Sequence, residues 1–305
     1  MRVLVIGGNG FVGSHVQDAL LPKGHSVRVL DRVPERYRAP LPGVDNRTGS
    51  CADPSVLAEA MAGVDAVMYL AATSVPSTSS VDVASDVESN LLPMVNTLDA
   101  MVRAGVERIV FLSSGGTVYG VTEQSLVSEN APTDPICSYG VVKLASEKYL
   151  GMYRHLYGIR PAILRPSNVF GPREGHTGVQ GFIGTALMRV LRGEPIEIWG
   201  DGSVVRDYLY VDDLARAMLL AVEASVIGPV NIGSGEGRSL LQVIETLSAV
   251  TGGKPEVRFL GPRAFDVPRL ALAIDRARDV LGWVPAVRFA DGVAKYWQWL
   301  CRHVV

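Results

Sequence analysis

The 305-residue chain reads as an α/β protein, a doubly wound parallel sheet joined to a smaller, interleaved C-terminal α/β unit, and three observations predict it. Short apolar runs alternate with amphipathic stretches through the first half, as strands buried on both faces and their crossover helices require. A glycine-rich turn follows the first run directly. The composition, 48% hydrophobic and 20% charged, supports one large or two modest domains and argues against a disordered chain.

In order, the strand-like runs are residues 3–6, 27–30, 66–70, 109–112 and 162–164. Between them the steps of four, three and four joining Leu91, Val95, Leu98 and Val102 predict one helical stripe. After about residue 166 the texture turns to loops rich in Gly and Pro, with a short strand at 196–199, an amphipathic helix near 212–223 and a further strand at 229–233. That last strand suits the first sheet, so the expected division is 1–166 plus about 204–232 for one unit and 167–203 plus 233–305 for the other.

With 29 basic against 31 acidic residues, nothing in the overall charge asks for a nucleic-acid or membrane partner. No stretch has the apolar length of a membrane span, and the four apolar residues before Gly7 are too few for a signal-peptide core. Three widely spaced cysteines, Cys51, Cys137 and Cys301, fit neither a disulfide framework nor a metal site. A soluble, cytoplasmic protein without a metal is the expectation.

Gly7, Gly10 and Gly13 form G-x-x-G-x-x-G at the end of the first strand. Gly7 suits a tight turn, Gly10 lets the backbone approach a pyrophosphate, and Gly13 lets the next helix pack close. Asp31 ends the second strand at the spacing of the carboxylate that binds an adenosine ribose, which favours NAD over NADP; Arg32 beside it is the residue able to accept a 2′-phosphate instead. Tyr139 and Lys143 stand four apart on one helical face, where an ammonium together with an oxidised nicotinamide would draw a phenol toward a usable base.

Taken with the blocks at 70–72, 89–90, 113–120, 164–172 and 206–213, these motifs resemble the extended short-chain dehydrogenase/reductase family, specifically NAD-dependent nucleotide-sugar epimerases of the UDP-glucose 4-epimerase type. The resemblance runs from residue 3 to about 283. It implies C4 epimerisation of a UDP-hexose or UDP-N-acetylhexosamine through a 4-keto sugar, with Tyr139 taking the 4-hydroxyl proton and Lys143 holding the nicotinamide ribose. It further implies a cofactor lining of Phe11, Val12, Ser50, Cys51, Leu70, Ala71, Ala72, Thr73, Asn90 and Ser113. Asn168, Arg206, Arg263 and Asp266 match the residues that hold the sugar nucleotide, and Leu270 falls at the position that gauges the 2-substituent. A homodimer built on two helices per subunit is also implied.

One position departs from the pattern, because the usual second hydroxyl is replaced by Gly115, leaving Ser114 and Thr117 as its candidates. The run Gly115-Gly116-Thr117 also lacks the carboxylates that a 4,6-dehydratase would carry there. The alternatives are a nucleotide-sugar dehydrogenase or reductase, and a dinucleotide-sensing protein that has kept the fold without the chemistry.

Overall fold

The computed structural model describes residues 1–174, 181–224, 226–261 and 267–304. Its first half runs β1 (Arg2–Ile6), α1 (Phe11–Leu20), β2 (Ser26–Asp31), β3 (Val44–Thr48), α2 (Pro54–Met61), β4 (Ala66–Tyr69), α3 (Val83–Asp86), a π-type turn (Val87–Leu91), α4 (Leu92–Ala104), β5 (Arg108–Leu112), α5 (Ser138–Tyr157) and β6 (Arg160–Pro166). The second half continues with β7 (Asn168–Phe170), α6 (Phe182–Arg192), β8 (Ile196–Trp199), β9 (Val205–Tyr210), α7 (Val211–Glu223), β10 (Gly228–Ile232), β11 (Gly237–Ser239), α8 (Leu240–Thr251), β12 (Val257–Leu260), β13 (Arg269–Leu270), α9 (Asp275–Leu281) and α10 (Phe289–His303).

Seven strands make one parallel sheet in the order β10-β6-β5-β4-β1-β2-β3. Alternate residues of β1 serve opposite faces: Val3 and Val5 pack with Val16 and Leu20 of α1 and with Met218 of α7, while Leu4 and Ile6 pack with Leu57, Leu98 and Leu150. Both faces are thus covered, which is why the strand runs are almost uniformly apolar. Chain direction across the sheet reverses beside β1, and the crevice that opens at the carboxyl ends of β1 and β4 is where such sheets take ligands.

The smaller unit is organised around β9, which pairs with β7 and β13 in parallel and with β11 antiparallel, while β8 pairs with β12. Its own core holds Phe170, Ile183, Leu187, Tyr210, Val243, Tyr296 and Leu300. The chain crosses back more than once: β10 takes the edge of the large sheet, and Ala277, Leu281 and Trp283 join that sheet's core. Trp283 anchors the return by donating from Nε1 to the Asp213 carbonyl at 3.0 Å.

Two expectations change. Strand β3 was not anticipated, because Val-Asp-Asn-Arg-Thr at a sheet edge has one neighbour and mostly exposed side chains, hence no apolar run. The face of α4 also differs: Pro93, Met94, Thr97, Leu98, Ala100 and Met101 are its buried residues, whereas Val102 is exposed and Leu91 and Val95 only partly covered. Sulfur-containing Met94 and Met101 fill the sheet side, and the predicted stripe is turned toward the rim.

Candidate active site

The glycine turn is held by close approaches of backbone to backbone. Gly7 adopts φ +81°, and a Cβ there would lie 2.8 Å from the Ala71 nitrogen in the turn after β4. On Gly13 a Cβ would lie 2.4 Å from the Gly7 carbonyl oxygen and 2.6 Å from Gly8 Cα, so only glycine lets α1 start so close to β1. Gly10 is different. It is the N-cap of α1 with no side-chain cap, and the nearest atom to a Cβ would be the Gly7 oxygen at an ordinary 3.4 Å. The helix therefore presents uncapped backbone N–H groups and its positive dipole end to the crevice, which fits a pyrophosphate.

Beside it opens a cleft of about 480 Å³ lined by Gly7, Gly10, Phe11, Val12, Gly13, Asp31, Arg32, Ser50, Cys51, Leu70, Ala71, Ala72, Thr73 and Tyr139. Asp31 braces the turn, accepting the Asn9 N–H at 3.0 Å and the Val33 N–H at 3.3 Å. Each carboxylate oxygen has a second lone pair left for a ribose hydroxyl. The length, the uncapped helix end and the carboxylate at the far wall together suit a dinucleotide.

Three residues expected along this lining are not on it, Asn90 and Lys143 lying beneath and Ser113 lining the neighbouring chamber. The Asn90 carboxamide is used by the protein itself: its oxygen accepts the Thr73 N–H at 2.8 Å, and its nitrogen donates to Asp86 Oδ1 at 2.8 Å. Ser113 donates its hydroxyl to buried Glu147 at 2.5 Å, because that carboxylate forms an internal ion pair with Arg165 and gathers the donors around it. Lys143 is buried, donating from Nζ to the Leu112 carbonyl at 2.8 Å and lying 5.5 Å from the centre of the Tyr139 ring.

The titration of this pair is governed by burial. Loss of water pushes the Tyr139 phenol up to about 12, with Cys137 and Asp86 acting in the same direction. Burial likewise draws Lys143 down to about 8, against the pull of Glu147 and Asp86. In the protein without the nicotinamide, desolvation thus leaves the phenol above its ordinary value.

Phe11, Val12, Val75, Leu112 and Tyr139 also line a second chamber of about 520 Å³, reached from the first past the tyrosine. Ser114, Asn168 and Arg206 lie on its wall as expected. Arg206 donates to the Val267 carbonyl at 2.5 Å, which orients its guanidinium from behind. Thr117 does not reach this chamber; the 114–118 segment turns back on itself through Val118 N–H to the Ser114 carbonyl, and the Thr117 hydroxyl is buried with no hydrogen-bond partner. Gly115 faces away as well, since a Cβ there would meet Leu272 Cδ1 at 2.6 Å and the Arg165 oxygen at 2.9 Å.

Leu270 is buried in a small cluster with Val118, Val127 and Leu272 and so is not part of the chamber wall. Arg263 and Asp266 lie outside the described residues. Sequence reasoning passed over Phe182, Trp199, Tyr208 and Glu174, which also line the chamber. Glu174 is almost fully buried, and desolvation pushes its carboxyl up to about 8. The exposed aromatic Trp199 beside the pair Gly200 and Gly202 was the one signal available.

Residues 3–233 match the model of the NAD dependent epimerase/dehydratase family. The UDP-glucose 4-epimerase of Mycolicibacterium smegmatis is 34% identical over 303 residues, with 97% of each chain covered. The crystal structure of UDP-glucose 4-epimerase from Thermotoga maritima with UDP-glucose superposes with a TM-score of 0.96 at 33% identity, over 100% of both chains. That of the Thermus thermophilus UDP-glucose 4-epimerase in complex with NAD gives 0.93 at 36% identity, again over 100% of both. Sequence and fold agree over the full length, and the chain belongs to the NAD dependent epimerase/dehydratase family.

Proposed function

We propose that the protein inverts the configuration at C4 of a UDP-hexose with NAD as its cofactor. The observation that carries this reading is the place of Tyr139, whose side chain lines both the cofactor cleft and the second chamber. Gly7, Gly10, Gly13 and Asp31 would hold the dinucleotide, and relatives solved with NAD and with UDP-glucose support the pairing of ligands. When bound, NAD supplies the acceptor and donor of a hydride and a positive charge that favours the Tyr139 phenolate.

The chain's own residues supply the rest. Tyr139 exchanges a proton with the 4-hydroxyl, and Ser114 offers the second hydroxyl that steadies it. Lys143 supports the tyrosine from behind the cleft wall. Asn168 and Arg206 engage the diphosphate, for which a guanidinium fork is well suited. No carboxylate occupies 115–117, where the resemblance places the acid and base that elimination of water would need. The chamber volume of about 520 Å³ supports room for a keto sugar to turn between hydride removal and return.

In this reading the bounds shift: 1–166 with about 211–232 and the returning stretch 275–283 form the cofactor unit, and the remainder, β9 included, forms the sugar-nucleotide unit. We place the protein in the cytoplasm, supported by three free thiols, and as a homodimer through α4 and α5, supported by exposed Leu92, Val141, Met152 and Leu156. Leu98 is fully buried against the sheet and takes no part in that face. Among the described residues no helix is long and apolar enough to cross a membrane.

Purified protein incubated with UDP-glucose, UDP-galactose and their N-acetylamino counterparts, followed by proton NMR of the sugar ring, tests the function. Interconversion of a C4 pair without consumption of added NAD is the expected result. Failure to invert any of the four overturns it.

A further inference from the structure

We propose that Asp86 is a positioning residue for the reaction: its buried carboxylate ties the cofactor wall at Thr73 and Ser74 to the first turn of α5, and so sets where Tyr139 stands between the two chambers. The inference rests on the function proposed above and adds to it a residue that touches neither ligand.

Asp86 closes α3 and is only 3% exposed. Its Oδ1 accepts from Ser74 Oγ and, at 2.8 Å, from Asn90 Nδ2; its Oδ2 accepts from Ser138 Oγ at 2.5 Å. The π-type turn that follows brings Asn90 back over Asp86, where Asn90 Nδ2 also donates to the Asp86 carbonyl at 3.2 Å. Through its oxygen Asn90 then fixes the Thr73 N–H. Thr73 and Ser74 line the cofactor cleft, and Ser138 directly precedes Tyr139.

Two neighbours reinforce the tie. Cys137, the N-cap of α5, gives no side-chain cap, and the first-turn donors are met instead by the segment leading into α3: Tyr139 N–H donates to Ser79 Oγ at 3.0 Å and Ser138 N–H to Ser80 Oγ at 3.3 Å. The helix that carries the tyrosine thus begins on 79–86, and Asp86 joins that segment to the cofactor wall by direct contacts to Ser74 and Ser138.

All three side-chain partners of Asp86 are neutral, so its charge is left to act on its surroundings. The groups that face Tyr139 are Asp86, Cys137 and the Lys143 ammonium; those that face Lys143 are Asp86 and Glu147. A carboxylate here disfavours the phenolate and favours the ammonium, which keeps a proton on each member of the pair.

Two variants separate tie from charge. Asp86→Asn keeps the shape, and the Ser74 and Ser138 hydroxyls can rotate to suit an amide. Without the charge, Lys143 should titrate to the acid side of its value of about 8, read from the Cε resonance of ¹³C-lysine-labelled protein free of cofactor, and the basic limb of the kcat profile should move the same way. Asp86→Ala cuts the tie, and kcat should fall about tenfold or more while KM for the UDP-sugar stays near the wild-type value, the signature of a misplaced reacting group. A residue that merely supports the fold would lower Tm and leave the Lys143 titration and the kcat of the folded fraction unchanged, and that result overturns the proposal. The lysine titration in Asp86→Asn does not depend on turnover or on the alanine variant folding. A wild type that inverts no UDP-hexose while the titration moves would refute the substrate reading; an active wild type whose folded Asp86→Ala variant keeps its kcat would refute the positioning role of Asp86, and an unmoved titration in Asp86→Asn would refute its charge effect.

Discussion

The two chambers that meet at Tyr139 are made of different materials. Around the cofactor cleft the shape is set by backbone against backbone, with Gly13 against Gly7 and Gly8, and Gly7 against Ala71. Around the second chamber it is set by side chains drawn from distant segments, Ser114 after β5, Asn168 on β7, Trp199 on β8 and Arg206 on β9. Where backbone abuts backbone, as at Gly7 and Gly13, no added methyl is tolerated, and such a wall offers few ways to change its ligand. A side-chain wall can exchange one group at a time, and specificity can be altered there without refolding the site.

The sharpest break of this contrast is a single methyl on the cofactor side. Gly13→Ala places Cβ against carbonyl and Cα atoms that cannot swing aside, so α1 must lift from β1. Loss of co-purifying NAD and a cost of about 2 kcal/mol or more in denaturant unfolding are expected. Gly10→Ala meets only the Gly7 oxygen at 3.4 Å, in a backbone conformation open to any residue, and should unfold like the wild type while binding NAD more weakly. Equal stability losses in the two variants would show that the turn is not built as described.

At the junction, Ser114→Ala should lower kcat about 100-fold, the usual order for removing one hydrogen-bonding partner of a reacting oxygen, with NAD retained. Thr117→Val is nearly isosteric and removes a hydroxyl that already lacks a partner, so its activity should stay close to that of the wild type. The reverse ranking would mean that the 114–118 turn opens on binding.

On the far wall, Arg206→Ala should raise KM for the UDP-sugar about 10- to 100-fold, the value of one charged hydrogen-bonding group, and leave kcat and NAD binding little changed. A drop in NAD retention would instead make the two chambers a single cooperative unit.

The same contrast explains how far the sequence could be read. The turn from Gly7 to Gly13 and the runs at β1, β2, β4, β5 and β6 announce themselves, because a backbone requirement selects glycine and two-sided burial selects a continuous apolar run. Elements placed by tertiary contact do not. Edge strand β3 carries no period, and the buried face of α4 was misread because Met94 and Met101 lie among other apolar residues. Asn90 and Ser113 were assigned to the cofactor by motif, yet their polar groups are taken up inside the protein by Asp86, Thr73 and Glu147. Asp86 itself sits in a polar stretch without pattern, and only the fold shows that Ser74 and Ser138 converge on it.

The smallest expected effect tests the side-chain wall through its protons. Glu174 is buried, and a carboxyl raised to about 8 from an ordinary 4.5 keeps its proton in the folded chain where the unfolded chain has released it. Between those values the folded state binds more protons, so stability falls as pH rises. The contribution of Glu174 is complete below about pH 4.5 and is lost as pH climbs through about 8. Buried Asp207 on β9 is shifted upward as well, while Asp212 is held low by His15, so the total pH dependence mixes opposing signs. Glu174→Gln isolates one of them. The wild-type Tm minus the Glu174→Gln Tm, measured by circular dichroism from pH 5 to pH 8, should decline steadily by several degrees. A difference that stays level across that range would show that Glu174 is ionised in the fold, and that the wall of the second chamber carries a charge where the structure places a neutral acid.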